Sequence, residues 1–414
     1  MCGFIVDFDD APVLAERVRR RGPDHHGEVV RGGFRFSHFL LHITGSLLPQ
    51  PLVDGDIVCV FNGEIYNHPH TVSDGEVIIP LYRKFGSAFA RELDGEFAIA
   101  LYDFAKREAV FITDPFSSKP LWIDGLRCSS YVGALGQGIQ LPPNTLLVRS
   151  FDCGEKSFIV RPFDFRNQHK TNLDDWTRAL KRSIEKRAVH DCFIGLSAGY
   201  DSGVIAVIMQ ELGIKFSSYS LAGSENMEVL RERVEQFNAA WVDEEDADVA
   251  WARSFLKEYV EEYCYGSVAG VTLPYELMTD DVGAIASCLL YRHAHSEGKR
   301  IVLSGQGADE IYADYPFWPA VGGLRGIFPE KLEPWVNFSG GCQRAFLAKE
   351  EHIAGAFGIE ARYPFLDWAL VQEFLWLSQN LKNSAYKAPL ASILSSHHIA
   401  WAAGQKTGFG PRKR

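Results

Sequence analysis

Residues 192–203 read CFIGLSAGYDSG. The first five form a short apolar run with no polar alternation, the pattern of a strand buried on both faces. Beyond it, SGVIAVIMQELG is apolar at helical spacing and closes on Gly213, a helix stop. Between strand and helix, Ser197, Gly199 and Ser202 permit a tight loop whose N–H groups face outward where the helix starts. Such a loop is either a plain strand-to-helix turn or a ready anion site.

The same alternation extends to either side. LDDWTRALKRSIEKRAV (173–189) and NMEVLRERVEQF (226–237) have helical spacing, whereas KFSSYSL (215–221) and KRIVLSG (299–305) read as strands. Strands alternating with helices predict an α/β doubly wound parallel sheet covered on both faces. Ligands on such sheets sit at the carboxyl ends of the strands, so the loops after CFIGL and KRIVL are the ones to watch.

Upstream the grammar differs. CGFIVDF, FRFSHFLLHI, DIVCVFNGEI, EFAIALYDF, AVFITDPF and TLLVRSF are β-branched or aromatic runs separated by Gly, Pro and Asp. Helical patterning is confined to APVLAERVRR and EVIIPLYRKFGSAFARELDG, which predicts an α+β layered sandwich. The pattern changes near RPFDFRNQHKTN (161–172), placing one domain at 1–160 and a second at 170–414.

Bulk composition narrows the classes. The 414 residues carry a net charge of −11, which argues against a nucleic-acid surface. No run of 18 or more apolar residues suggests a membrane span, and no secretion signal precedes Cys2. The eight cysteines are scattered without C-x-x-C pairs, so a reducing cytoplasmic setting is expected.

Cys2 needs its own explanation. If Met1 is removed, the new α-amine has a pKa near 7.7–8.0, so roughly a tenth to a fifth of it is neutral at pH 7. It can take the proton of the adjacent thiol, placing nucleophile and base in one residue. FNGEIYN (61–67) offers an oxyanion hole from the Asn62 side-chain amide and the Gly63 N–H, and SDGEV supplies Asp74 to hold an ammonium. Taken singly, an N-x-G is usually just a turn, a cysteine at position 2 is usually incidental, and Asp in an S-D-G turn normally caps its own backbone.

In order, MCG, RGPDHHG, FNGEIYN, SDGEVI and LDGEFAIALYD resemble the class II glutamine amidotransferases, which have an N-terminal-nucleophile αββα sandwich. The resemblance covers about 150 residues. It implies that Cys2 attacks the glutamine side-chain amide, that Asn62 and Gly63 stabilise the oxyanion, and that Glu64 and Asp74 bind the glutamine. Leu40 stands where the family places an arginine for the glutamine α-carboxylate; Arg35 and His42 are the candidates to replace it.

The second half resembles the ATP-pyrophosphatase superfamily through GLSAGYDSG, with Ala198 in place of a glycine. LPYELM, VLSGQGADEIYADY, GIEARYPFLD, SAYKAPL and GQKTGFG follow in order. The whole chain resembles the glutamine-dependent asparagine synthetases. That implies ATP and Mg²⁺, adenylation of a carboxylate, then attack by ammonia channelled from the first domain. The pyrophosphate and nucleotide would meet Ser197, Gly199, Ser202, Gly305 and Asp309, with Leu196 and Leu221 flanking adenine. Asp201 would ligate Mg²⁺, Lys387 would neutralise the transferring phosphates, and Glu262 would assist the ammonia step. Gln306 and Tyr265 stand where the family has acids, and a shifted register pairing Tyr259 with Glu262 is closer to the β-lactam synthetase branch. Aspartate is the expected acceptor. The alternatives are another carboxylate (a natural product, nucleotide or surface sugar acid) or a degenerate nucleotide-binding relative. A homodimer is a reasonable family expectation.

Overall fold

The computed structural model describes residues 2–8, 15–43, 45–189, 191–223, 225–242, 245–262, 278–316 and 323–402. The chain divides into two compact units, Met1–Pro162 with Gly355–Gly358, and Phe163–Ala354 with Ile359–Arg414.

In the first unit two six-stranded antiparallel sheets lie face to face. One runs Ile139–Gln140, Trp122–Asp124, Arg127–Ser129, Gly3–Phe8, Phe34–Leu40, His25–Arg31. The other runs Glu155–Ile159, Thr145–Ser150, Glu108–Thr113, Gly95–Asp103, Ile57–Ile65, Leu52–Asp54. Alternation along Ile57–Ile65 explains the layering. Val58 and Val60 face Phe4, Val6, Phe34 and Phe36 of the opposite sheet. Ile57, Cys59 and Phe61 face the other way, onto Ile78, Ile79 and Tyr82 of the helix Ile78–Phe85. Behind the first sheet, Ile5 and Phe39 pack with Val18 of the helix Glu16–Arg21 and with Tyr131. A one-residue slip of the central strand would exchange its two faces, so burial on both sides sets the register. The helical pattern expected over 76–95 is cut short at Phe85, where Gly86 takes φ +58° and a 3₁₀ segment, Gly86–Glu92, follows. A left-handed glycine ends a helix because it costs no Cβ clash.

The second unit is built on a five-stranded parallel sheet in the order Ala240–Val242, Ser217–Leu221, Phe193–Gly195, Ile301–Leu303, Glu360–Arg362. The helix after Phe193–Gly195, Tyr200–Glu211, buries Ser202 through Met209 without a gap. It is a core helix rather than an amphipathic one. The chain lays strands to one side of Phe193–Gly195 first and to the other side afterwards. The reversal opens a crevice beyond the carboxyl ends of Phe193–Gly195 and Ile301–Leu303. Among the described residues no helix is long and apolar enough to cross a membrane.

Candidate functional site

Cys2 sits buried at the head of the strand Gly3–Phe8, whose even-numbered side chains Phe4 and Val6 face the second sheet. Its carbonyl accepts a hydrogen bond from Arg21 Nε at 2.9 Å, and the wholly buried Arg21 also donates to Tyr131 OH at 2.8 Å. Asn62 extends the row of Val58 and Val60, so it faces the same interlayer space. His38 shows that the two ends coincide. It pairs in register with Phe4, and its Nε2 lies 3.0 Å from Phe61 O, the carbonyl just before Asn62. Burial drives the His38 pKa down to about 3, so the ring is neutral and Nε2–H donates across the gap.

Side-chain oxygens meet the backbone at this strand edge, on both sides of Asn62 and Gly63. Gln50 Oε1 accepts the Phe61 N–H and Asp74 Oδ2 accepts the Ile65 N–H, both at 2.8 Å. By the period of the ladder the Gly63 N–H points to that same edge between them. Gly63 has φ +135°, and a Cβ there would lie 1.9 Å from Glu96 O, so no other residue fits. Asn62 is wholly buried, yet neither its Nδ2 nor its Oδ1 has a hydrogen-bond partner among the described residues. An amide left so costs about 1–3 kcal/mol, a penalty a bound oxyanion would remove. Glu64 lies directly opposite Glu96, and the buried Lys119 Nζ approaches Glu96 Oε2 at 3.7 Å, easing the like-charge pair.

At the crevice of the second unit, Lys387 Nζ lies 2.6 and 2.8 Å from the two carboxylate oxygens of Asp201 and 2.9 Å from Asp309 Oδ1. Burial opposes its charge, but the two carboxylates outweigh that and raise its pKa above the ordinary lysine value. Asp201 occupies the first turn of Tyr200–Glu211, and Asp309 that of the helix Ala308–Tyr312. Gly305 lets the two loops meet, since a Cβ there would stand 2.9 Å from Asp201 Cβ. A cavity of about 210 Å³ opens here; Ser197, Asp201, Ser202, Gly305 and Asp309 line it. Within the loop, Ser197 N–H donates to Ser202 Oγ at 3.0 Å and Gly199 N–H to Ser197 Oγ at 3.1 Å.

Other expected residues fall elsewhere. Leu196 and Leu221 are buried at adjoining strand ends without lining this cavity. Glu262 is exposed, past the end of the helix Asp246–Tyr259, and does not line it either. Tyr265, Pro274 and the GQKTGFG stretch lie outside the described residues.

Two buried residues that the motifs did not suggest hold the loop. Arg233 Nη1 donates to Ser197 O at 2.7 Å and to Gly199 O at 2.5 Å, while Nε donates to Ala400 O at 2.9 Å. Those carbonyls are thus held inward by Arg233, while the Ser197 and Gly199 N–H groups are taken by Ser202 Oγ and Ser197 Oγ. Arg233 lies against Gly203, where a Cβ would meet the guanidinium at 2.8 Å. Glu225 accepts the Ala198 N–H. Burial lowers the Arg233 pKa to about 10 and raises that of Glu225 to about 7. The local sequence does not single out Arg233: the helix Met227–Gln236 carries two arginines, Arg231 and Arg233, among glutamates.

Comparison with known proteins finds a family for each half of the chain. A glutamine amidotransferase domain family matches residues 1–145, and an asparagine synthase family matches residues 175–330. A probable glutamine-hydrolysing asparagine synthetase of Schizosaccharomyces pombe is 30% identical over 89% of this chain and 72% of its own. The chain belongs to the glutamine-hydrolysing asparagine synthetase family. Asparagine synthetase 1 of Saccharomyces cerevisiae is 27% identical over 92% of this chain and 76% of its own. Asparagine synthetase B of Escherichia coli is 26% identical over 89% and 73%. The glutamine phosphoribosylpyrophosphate amidotransferase of Bacillus subtilis aligns over 53% of this chain and 65% of its own, at 16% identity and a TM-score of 0.31, too distant to carry an argument.

Against that family the departures acquire places. Leu40 is buried opposite His25 at the end of its strand. Arg35 lies toward the other end, opposite Val30, with its Nε 3.7 Å from Glu28, so it does not stand beside Leu40. His42 Nε2 lies 3.2 Å from Gly45 O. Gln306, in place of the family acid, lines the synthetase cavity and donates its N–H to Ser304 Oγ at 3.1 Å.

Proposed function

We propose that this chain makes asparagine from aspartate, ATP and glutamine in the cytoplasm, with the glutaminase in residues 1–160 and the synthetase in 170–414. Support at the first site comes from the buried, unsatisfied Asn62 amide beside Gly63. Once Met1 is removed, the α-amine of Cys2 takes the thiol proton and the sulfur attacks the glutamine amide carbon. Asn62 Nδ2–H and Gly63 N–H receive the developing oxyanion, while Glu64 and Asp74 hold the amino-acid end. Ammonia leaves and water cleaves the thioester.

At the second site an oxygen of the aspartate side-chain carboxylate attacks the α-phosphorus of ATP, and pyrophosphate departs onto the Ser197–Ser202 loop and Lys387. Ammonia then displaces AMP. The Asp201 and Asp309 carboxylates suit Mg²⁺, which prefers one or two carboxylates plus phosphate oxygens. Bound there with ATP, the ion would neutralise phosphate charge.

The observation that carries the synthetase reading is Lys387, bracketed by Asp201 and Asp309 where the sheet order reverses. Pyrophosphate release tests it: release should depend on aspartate and be sustained by glutamine or by ammonium. Cys2→Ala should abolish glutamine use and spare ammonium. Release with a different carboxylate but not with aspartate would move the acceptor, and loss of ammonium-driven activity in Cys2→Ala would undo the division of labour.

A further inference from the structure

The synthetase cavity contains an acid with no assigned task. Glu350, on the helix Gly341–Ala356, is 8% exposed and lines the cavity together with Ser197, Asp201, Gly305 and Asp309. Asp201 and Asp309 are both tied to Lys387. Glu350 is held differently, by two neutral hydroxyls: Tyr291 OH donates to Oε1 at 2.5 Å and Ser304 Oγ donates to Oε2 at 2.7 Å. A carboxylate offers about four lone-pair sites, so two remain for a proton donor in the cavity. Ser304 also accepts the Gln306 N–H, which couples Glu350 to the loop that carries Asp309.

We infer that Glu350 is a further catalytic residue, the base that removes the proton from the attacking ammonia. The inference rests on the synthetase reading above. As the nitrogen lone pair forms the C–N bond, the bond from the acyl carbon to the AMP oxygen breaks and its electron pair leaves on the phosphate. The surplus proton on nitrogen passes to a Glu350 oxygen, giving a neutral amide, AMP and a protonated carboxyl. A group in this position is required because attack by neutral ammonia leaves a cationic nitrogen that cannot persist in the amide. The exposed Glu262 is not at the cavity to receive it, and Gln306 has no basic oxygen at neutral pH. Burial and the neighbouring Glu351 raise the Glu350 pKa, partly offset by the two hydroxyls and by Lys349. That is the direction that strengthens a carboxylate as a base.

The test separates the two half-reactions in the full-length enzyme, using ammonium as nitrogen donor. Aspartate-dependent exchange of labelled pyrophosphate into ATP reports adenylation; asparagine formation reports the ammonia step. Glu350→Gln keeps the shape and should retain exchange within about threefold while asparagine formation falls by about 10²–10⁴-fold, the range for losing a general base. Tyr291→Phe takes away one of the two hydroxyls that hold the carboxylate and should lower asparagine formation by less than Glu350→Gln does; a larger fall than in Glu350→Gln would overturn the inference. Asparagine formation by Glu350→Gln at the wild-type rate would overturn the inference. So would equal loss of exchange and synthesis, or a raised KM for aspartate at unchanged kcat, which would make Glu350 an acceptor-binding group. No exchange by the wild-type enzyme with aspartate would instead remove the synthetase reading, and the proton role with it.

Discussion

Replacing Arg233 by methionine tests whether a buried guanidinium holds the Ser197–Ser202 loop. Arg233 is wholly buried, donates to the carbonyls of Ser197, Gly199 and Ala400, and faces Glu225. Methionine fills much of the volume but makes none of these bonds, and it leaves the Glu225 carboxylate buried without its countercharge. Breaking a buried charge pair from one side costs about 3–5 kcal/mol. At about 2–4 °C per kcal/mol for a unit of this size, the melting temperature should fall by roughly 6–20 °C. With Ser197 O and Gly199 O released, the KM for ATP should rise while glutamine hydrolysis is unchanged. Adding Glu225→Gln removes the stranded charge and still offers an oxygen to the Ala198 N–H, so the double variant should melt above Arg233→Met alone. A coupling of about 0.5–3 kcal/mol is expected for residues in such contact. The reasoning fails if Arg233→Met melts within about 1 °C of wild type, or if the two substitutions add without coupling.

Other consequences follow from the same geometry. Asn62→Ala should reduce glutaminase kcat by about 10²–10³-fold. Calorimetry should show little loss of stability, because the amide it removes bonds to nothing in the described structure. Gly63→Ala places a methyl 1.9 Å from Glu96 O at a left-handed φ and should cost roughly 2–6 kcal/mol, read by chemical denaturation. Lys387→Met should abolish ammonium-driven synthesis in an asparagine assay while glutamine hydrolysis continues. Glu225 titrates from about 4.5 unfolded to about 7 folded. Between those pH values the native state holds a proton that the unfolded chain has released, so stability falls by about 3 kcal/mol as pH rises through the window. Denaturation curves of Glu225→Gln should lack that part of the slope.

Local spacing made much of this protein legible. An unbroken apolar run followed by a small-residue loop and a helical run read as strand, loop and helix over 192–213, and the β-branched and aromatic run over 56–65 read as a strand. Those signals lie within a few residues of one another, so backbone geometry alone expresses them. The tertiary structure decided which ionisable groups meet. Lys387 reaches Asp201 across 186 residues, Arg233 reaches Ser197 across 36, and Glu350 reaches Ser304 across 46. Nothing in the neighbourhood of each residue distinguishes it from a solvated charge on a helix. Glu262, to which the family resemblance gave a part in the ammonia step, ends exposed, whereas Glu350 turns into the cavity. The physical reason is that burial of a charge is settled by the packing of distant elements around it, and a pattern read along one segment carries no information about that packing.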